Sequence, residues 1–157
     1  MLSVLRPSDG VAATNLWFFD SGDVECEGRN VNNNGCVDPS QLAWLRNHPA
    51  PRAFGLAWVH IPVPEVMAVW ANTNSTGHCH DTICCSAINP GLYSELLRRG
   101  DVRALFSGHD HYNDYCECSS DSDSGLRLRR HSDHLRRVHC GAFCQAHAAS
   151  QASAQNV

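Results

Sequence analysis

The chain has no lysine: its whole basic complement is twelve arginines. That bias points to coding composition more than to function. Charged residues make up 18% of the chain and the formal net charge is −4. The clear basic excess of a phosphate-reading surface is therefore missing, and a nucleic-acid partner is not expected. Long hydrophobic runs are missing too. No stretch approaches the roughly 20 apolar residues needed to span a bilayer, and the opening "MLSVLRPSDG" reaches Pro7 and Asp9 before the apolar core of a signal peptide could form. A cytoplasmic protein with no membrane partner is the expectation. An even cysteine count is the third absence: there are nine, so at least one thiol is left over under any intramolecular pairing. Without a signal sequence the cysteines are not read as a disulfide framework.

What remains is a chain of 157 residues, 43% of them hydrophobic, enough for one domain or part of a larger one. From Leu2 to about Cys116 strand and helix signals alternate. "TNLWFFD" (Thr14 to Asp20) is an aromatic-rich apolar run of strand length stopped by "SGD", with "LSVL" before it as a possible hairpin partner. The Asn-rich, Gly-punctuated "CEGRNVNNNGC" is a loop. In "VDPSQLAWLRNHP", Asp38 at the N-cap, Pro39 at N1 and Gln41 at N3 form a capping box, Leu42 and Leu45 share a face, and Pro49 stops the helix. A second apolar strand, "AFGLAWVHIPVP", is ended by Pro62 and Pro64. Asn89 then caps a second helix with Pro90 at N1, an apolar face of Leu92, Leu96 and Leu97, and Gly100 just past its end. "DVRALFSG" is the third strand. Strand, helix, strand, helix, strand is the rhythm of an α/β layered fold. Beyond Cys116 the pattern collapses into acidic "ECSSDSDSG", Arg-rich "LRLRRHSDHLRR" and Ala/Ser/Gln-rich sequence, so residues 117–157 are expected to be an irregular, largely disordered tail.

The chemistry concentrates in "FSGHDHYNDYC". In an extended segment residues i and i+2 point the same way, so His109 and His111 are expected to project together at the carboxyl end of a buried strand, where open α/β sheets place ligand sites. Gly108 is expected to let the backbone turn and approach a ligand. Side-by-side imidazoles can hold paired metal ions about 3.5–4 Å apart, a geometry used in phosphoester hydrolysis. A solvated polar loop is the alternative. His60, at the end of the preceding strand in "LAWVHIPVP", brings a second strand-end histidine to the same edge.

These residues carry a resemblance. "LWFFDSGD", "PSQLAWLRN", "FGLAWVHIPVPEV" and "INPGLYSELLRRGDVRALFSGHDHYNDYC" resemble the second half of the calcineurin-like metallophosphoesterases, in particular their purple-acid-phosphatase-like intracellular subgroup. The resemblance covers about residues 2 to 116 and is most specific in "GDVRALFSGHDHYNDYC". It implies an α/β fold, part of a sandwich of two mixed β-sheets flanked by helices, with residues 1–116 its C-terminal portion and its N-terminal half missing. It further implies two divalent or trivalent metal ions (Fe, Zn or Mn) and hydrolysis of phosphate esters, on a phosphoprotein or a small molecule, by metal-bound hydroxide. By motif, His60 and His109 would bind one metal and His111 the other, with Asp110 and Asn113 as neighbours. The family's earlier motifs, D-x-H, G-D-x-x-D and G-N-H-[DE], are absent, and "DSGD" at Asp20 to Asp23 does not replace the second of them. Metal sites of this kind need roughly three to four protein ligands per ion. Three histidines do not supply two, so the expectation is a phosphatase fragment inactive by itself, with a non-catalytic interaction chain as the alternative. A shifted reading frame or retained intron would account for both the late start and the divergent tail.

Other groupings are weighed against plainer readings. Cys116, Cys118, His131, His134, His139, Cys140 and Cys144 contain zinc-compatible spacings, but no hairpin or helix pattern frames them. "GHCHDTICC" (His78 to Cys85) has metal-ligand types, though isolated thiols or a local disulfide are the plainer reading. The stretch Arg127 to Arg137 suits an acidic surface or RNA, or simply a solvated tail. Glu65 is read as a solvated loop carboxylate, and Tyr112 and Tyr115 as packing under the loop.

Overall fold

The computed structural model describes residues 1–71, 75–119 and 141–145. Its strands are β1 (Leu2–Leu5), β2 (Ala12–Phe19), β3 (Phe54–Val59), β4 (Val102–Ser107), β5 (Cys116–Ser119) and β6 (Gly141–Gln145), and its helices α1 (Pro39–Asn47), α2 (Val66–Ala71) and α3 (Leu92–Arg99). The strands form one six-stranded sheet in the order β1-β2-β3-β4-β6-β5. β2, β3, β4 and β6 run parallel, and β1 and β5 pair antiparallel at the two edges. The α/β class and the β1–β2 hairpin agree with the sequence reading. Where two sheets were expected, the described residues contain one. No described helix is long and apolar enough to cross a membrane.

Alternation along the parallel strands separates two faces. Trp17, Phe19, Ala57, Val59 and Leu105 are buried and join Leu42 and Leu45 of α1, Val66 and Val69 of α2, and Leu92 and Leu96 of α3 in one core. All three helices therefore bury their apolar sides into the same face of the sheet. The other face carries Leu2, Leu16, Phe18, Leu56, Trp58, Ala104 and Phe106. Phe18 and Leu2 are 53% and 63% exposed there. Phe18, Trp58 and Phe106 stack across β2, β3 and β4, with ring centroids 5.2 Å apart at each step. Parallel sheets ordinarily have both faces covered; here one is covered by described elements.

The helix signals resolve into local chemistry. Asp38 caps α1, accepting a hydrogen bond from the Ser40 amide at 2.7 Å, with Pro39 in the first turn. Gln41 does not close a capping box. Its amide grips the backbone of Asp20 just past β2, accepting from the Asp20 N–H at 2.9 Å and donating to the Asp20 carbonyl at 2.7 Å. α3 begins two residues later than the proline suggests: its N-cap is Gly91, while Asn89 accepts from the Gly91 amide in a preceding turn and donates to Glu65. Gly100 ends α3 in the left-handed conformation, φ 73°. α2 was not foreseen, because "PVPEV" reads as a proline-terminated strand and the helix lasts only six residues. Glu65, read as a solvated loop carboxylate, is partly buried at the start of α2 and bonded to Asn89.

Two expectations are corrected. Cys26 and Cys36 form a disulfide, so the Asn-rich loop is a closed ring. Residues 117–119 and 141–145, placed by composition in an irregular tail, extend the sheet as part of β5 and as β6; β6 pairs with β4, and β5 pairs with β6. The rest of that tail, including the Arg-rich stretch and His131, His134, His139 and Cys140, lies outside the described residues.

Trp17 is fully buried, with Trp44 and His48 edge-on at 5.5 and 5.9 Å and the Arg99 guanidinium 4.4 Å from its ring centre. Trp17→Ala is expected to cost about 3–5 kcal/mol, measured by denaturant unfolding, and Trp17→Phe clearly less. Glu95 bonds Arg46 and Arg98, which hold its carboxyl below the usual range. Its contribution is present above the ordinary glutamate range and is lost as pH falls through the lowered folded value. Glu95→Gln should flatten that acidic limb of a stability-against-pH curve.

Candidate functional site

The parallel strands end level with one another: Phe19 pairs with Val59, and Val59 with Ser107. Their following loops emerge along one edge and are laced together. Ser21, 2% exposed, accepts a hydrogen bond from the Ile61 amide at 3.0 Å, and the Gly108 amide donates to the His60 carbonyl at 3.1 Å.

His60 and His109 meet at this edge, ring centroids 5.2 Å apart and nearly perpendicular. The residue that turns the chain is His109 itself, left-handed at φ 76°. Gly108 has no positive φ, and a Cβ there would lie an ordinary 3.6 Å from His60 Nδ1. A non-glycine residue in this region is uncommon, though histidine enters it more readily than most. It also ends the extended geometry on which the i, i+2 argument depended. His111 falls in the turn and is exposed, and the ring contact of this edge is between His60 and His109.

The intervening polar residues have structural work. Asp110, 3% exposed, accepts from the Cys84 amide at 3.1 and 3.3 Å. Asn113, fully buried, accepts from the Asp81 amide at 2.9 Å and donates to the Asp81 carbonyl at 3.3 Å. Together they pin residues 79–84 across the histidine turn. Asp114 adds a bond from the His78 amide at 2.8 Å, and His78 stacks on His80. Tyr115 is buried against Trp70, as packing predicted, whereas Tyr112 is 61% exposed. Burial, then the neighbouring Cys79 and Asp110, pushes the Tyr115 phenol up.

Three further residues came from the loop that the sequence left undefined. Asn34, inside the Cys26–Cys36 ring, has its Oδ1 3.1 Å from His109 Nε2. Asn32 donates to the Cys85 carbonyl at 2.8 Å and accepts from the Ala87 amide at 3.2 Å, tying the ring to the loop before α3. Gly35 lies so close to the Ser21 carbonyl that a Cβ there would strike it. The ring "NNNG" between two cysteines was the available signal, but nothing in its spacing aims it at His109.

Among the described residues, no group of three or more His, Cys, Asp or Glu is placed to hold a metal ion. The thiols of Cys79, Cys84 and Cys85 are pushed up by burial first and then by Asp110.

The chain is similar to purple-acid-phosphatase-like proteins. It is 38% identical over 112 residues to "Probable inactive purple acid phosphatase 28" of Arabidopsis thaliana, 64% of this chain and 27% of that protein. It is 42% identical over 71 residues to "Probable inactive purple acid phosphatase 14", and 32% identical over 120 residues to "Probable inactive purple acid phosphatase 29", both of Arabidopsis thaliana. These matches cover 45% and 65% of the chain but 17% and 30% of the relatives. The chain thus spans under a third of the curated relatives it matches. No family model and no solved structure matches it.

Asn113→Ala removes the acceptor of the Asp81 amide, and losing such a hydrogen bond costs about 0.5–1.5 kcal/mol. Hydrogen exchange read residue by residue should show the Asp81 and Cys84 amides accelerating before those of β2.

Proposed function

We propose that this chain is part of a calcineurin-like metallophosphoesterase of the purple-acid-phosphatase kind, and that by itself it does not hydrolyse phosphate esters. The observation that carries the reading is the His60–His109 pair, facing at 5.2 Å across the level ends of two parallel strands. Similarity to proteins named as probable inactive purple acid phosphatases supports it.

The donor set decides the activity. Imidazole nitrogens sit about 2.0–2.1 Å from zinc, and two rings at the observed separation suit partial ligation of one ion. They do not suit two ions, because the described residues supply no third His, Cys, Asp or Glu beside them. The dinuclear group of the family therefore does not fit the described residues. In a complete domain His60 and His109 would hold one of the metals (Fe, Zn or Mn) and His111 the other. The missing carboxylates and the leaving-group histidine would come from outside these residues. The substrate class would be a phosphate ester, on a phosphoprotein or a small molecule.

The sheet face that no described element covers agrees. A second sheet laid on Leu16, Phe18, Leu56, Trp58 and Phe106 would complete a two-sheet sandwich and bury the aromatic stack.

The test combines zinc titration of the full chain with an aryl-phosphate assay. At most one weakly bound ion is expected, with affinity falling about ten-fold or more in His60→Ala and in His109→Ala. His111→Ala should leave that ion in place, and no variant should turn over substrate above the metal-only rate. Robust turnover abolished by His111→Ala would overturn the reading.

A further inference from the structure

The orientation of Asn34 determines which nitrogen of His109 carries its proton. Asn34 Nδ2 donates to the Asn32 carbonyl at 3.2 Å, and a carbonyl can only accept. The amide oxygen is therefore the atom that faces His109, 3.1 Å from Nε2. An amide oxygen also only accepts, so Nε2 must carry a proton, and in the neutral ring Nδ1 is the nitrogen left with a lone pair.

Three features hold that amide in place. Asn32, whose carbonyl orients it, is itself bonded on both sides to the 85–87 segment. Gly35 lets the arm lie flat on the Ser21–Asp23 turn, where its amide donates to the Asp23 carbonyl at 2.8 Å. The Cys26–Cys36 disulfide closes the ring around the arm. On the other side His109 is in a left-handed backbone conformation that histidine does not favour alone.

We propose that Asn34 is the positioning residue of His109: the disulfide-closed ring presents its amide oxygen to Nε2–H, fixing the imidazole and reserving Nδ1 as its lone-pair nitrogen. Nδ1 is then the atom offered to a cation or a proton at the edge shared with His60. That consequence rests on the phosphoesterase reading; the hydrogen bond itself does not.

The experiment is metal-free NMR of the full, ring-labelled chain, so its outcome is independent of zinc binding and turnover. The expected result is one Nε2 ring proton of His109, protected from exchange with water. Asn34→Leu should lose that protection while the backbone amide spectrum of β2 to β4 stays unchanged. Asn34→Asp, which keeps an acceptor oxygen, should retain it; a merely space-filling role would leave protection in both, since Leu and Asp each have the shape of Asn. Replacing Cys26 and Cys36 together by serine should also lose it. A proton on Nδ1, protection that survives Asn34→Leu, or protection that survives opening of the ring would overturn the proposal. Should Asn34→Leu fail to fold, the wild type, Asn34→Asp and the opened ring decide it.

Discussion

Everything at the candidate site depends on the parallel backbone register of β2, β3 and β4. Because Phe19, Val59 and Ser107 lie side by side, the first residues beyond them are neighbours although they are far apart in sequence. Main-chain and hydroxyl bonds continue the pairing into the loops, from Gly108 to His60 and from Ile61 to Ser21. A slip of one residue in any of these strands would turn its buried row toward the other face, and would also carry its strand-end histidine away from the edge. Burial of Trp17, Ala57 and Leu105 in one core therefore fixes the placement of His60 and His109.

On that frame, buried polar groups organise the loops. Asp110 and Asn113 lie inside the protein where an unpaired group would be expensive, and both are bonded to the 79–84 segment. Asn32 joins the disulfide ring to the following residues. The loops thus hold each other, and the histidine turn is constrained from both sides. A motif that appears in sequence as two histidines and some polar filler is in three dimensions two histidines on a polar clamp.

Much of the frame was legible because burial leaves a periodic trace. The three apolar strands, the Asp38 cap and the Gly100 stop each follow from local chemistry, and His60 and His109 follow from their place after strands. What was not legible depends on partners distant in sequence. Gln41 reads as a capping-box residue until Asp20 is beside it, and Asn34 is one asparagine among several until His109 is. α2 is too short to show a period, and β6 is a strand because β4 and β5 flank it. The departure of His109 from extended geometry belongs to the turn as a whole.

The topology also sets the order in which such a sheet can assemble. β1 and β2 are joined by a short turn and pair with little loss of chain entropy. The β2–β3 and β3–β4 pairings must first close the intervening residues 20–53 and 60–101. Contacts of such separation make folding slow relative to hairpin formation. The histidine edge is built from two long-range pairings, so it is expected to form after the hairpin that lies beside it.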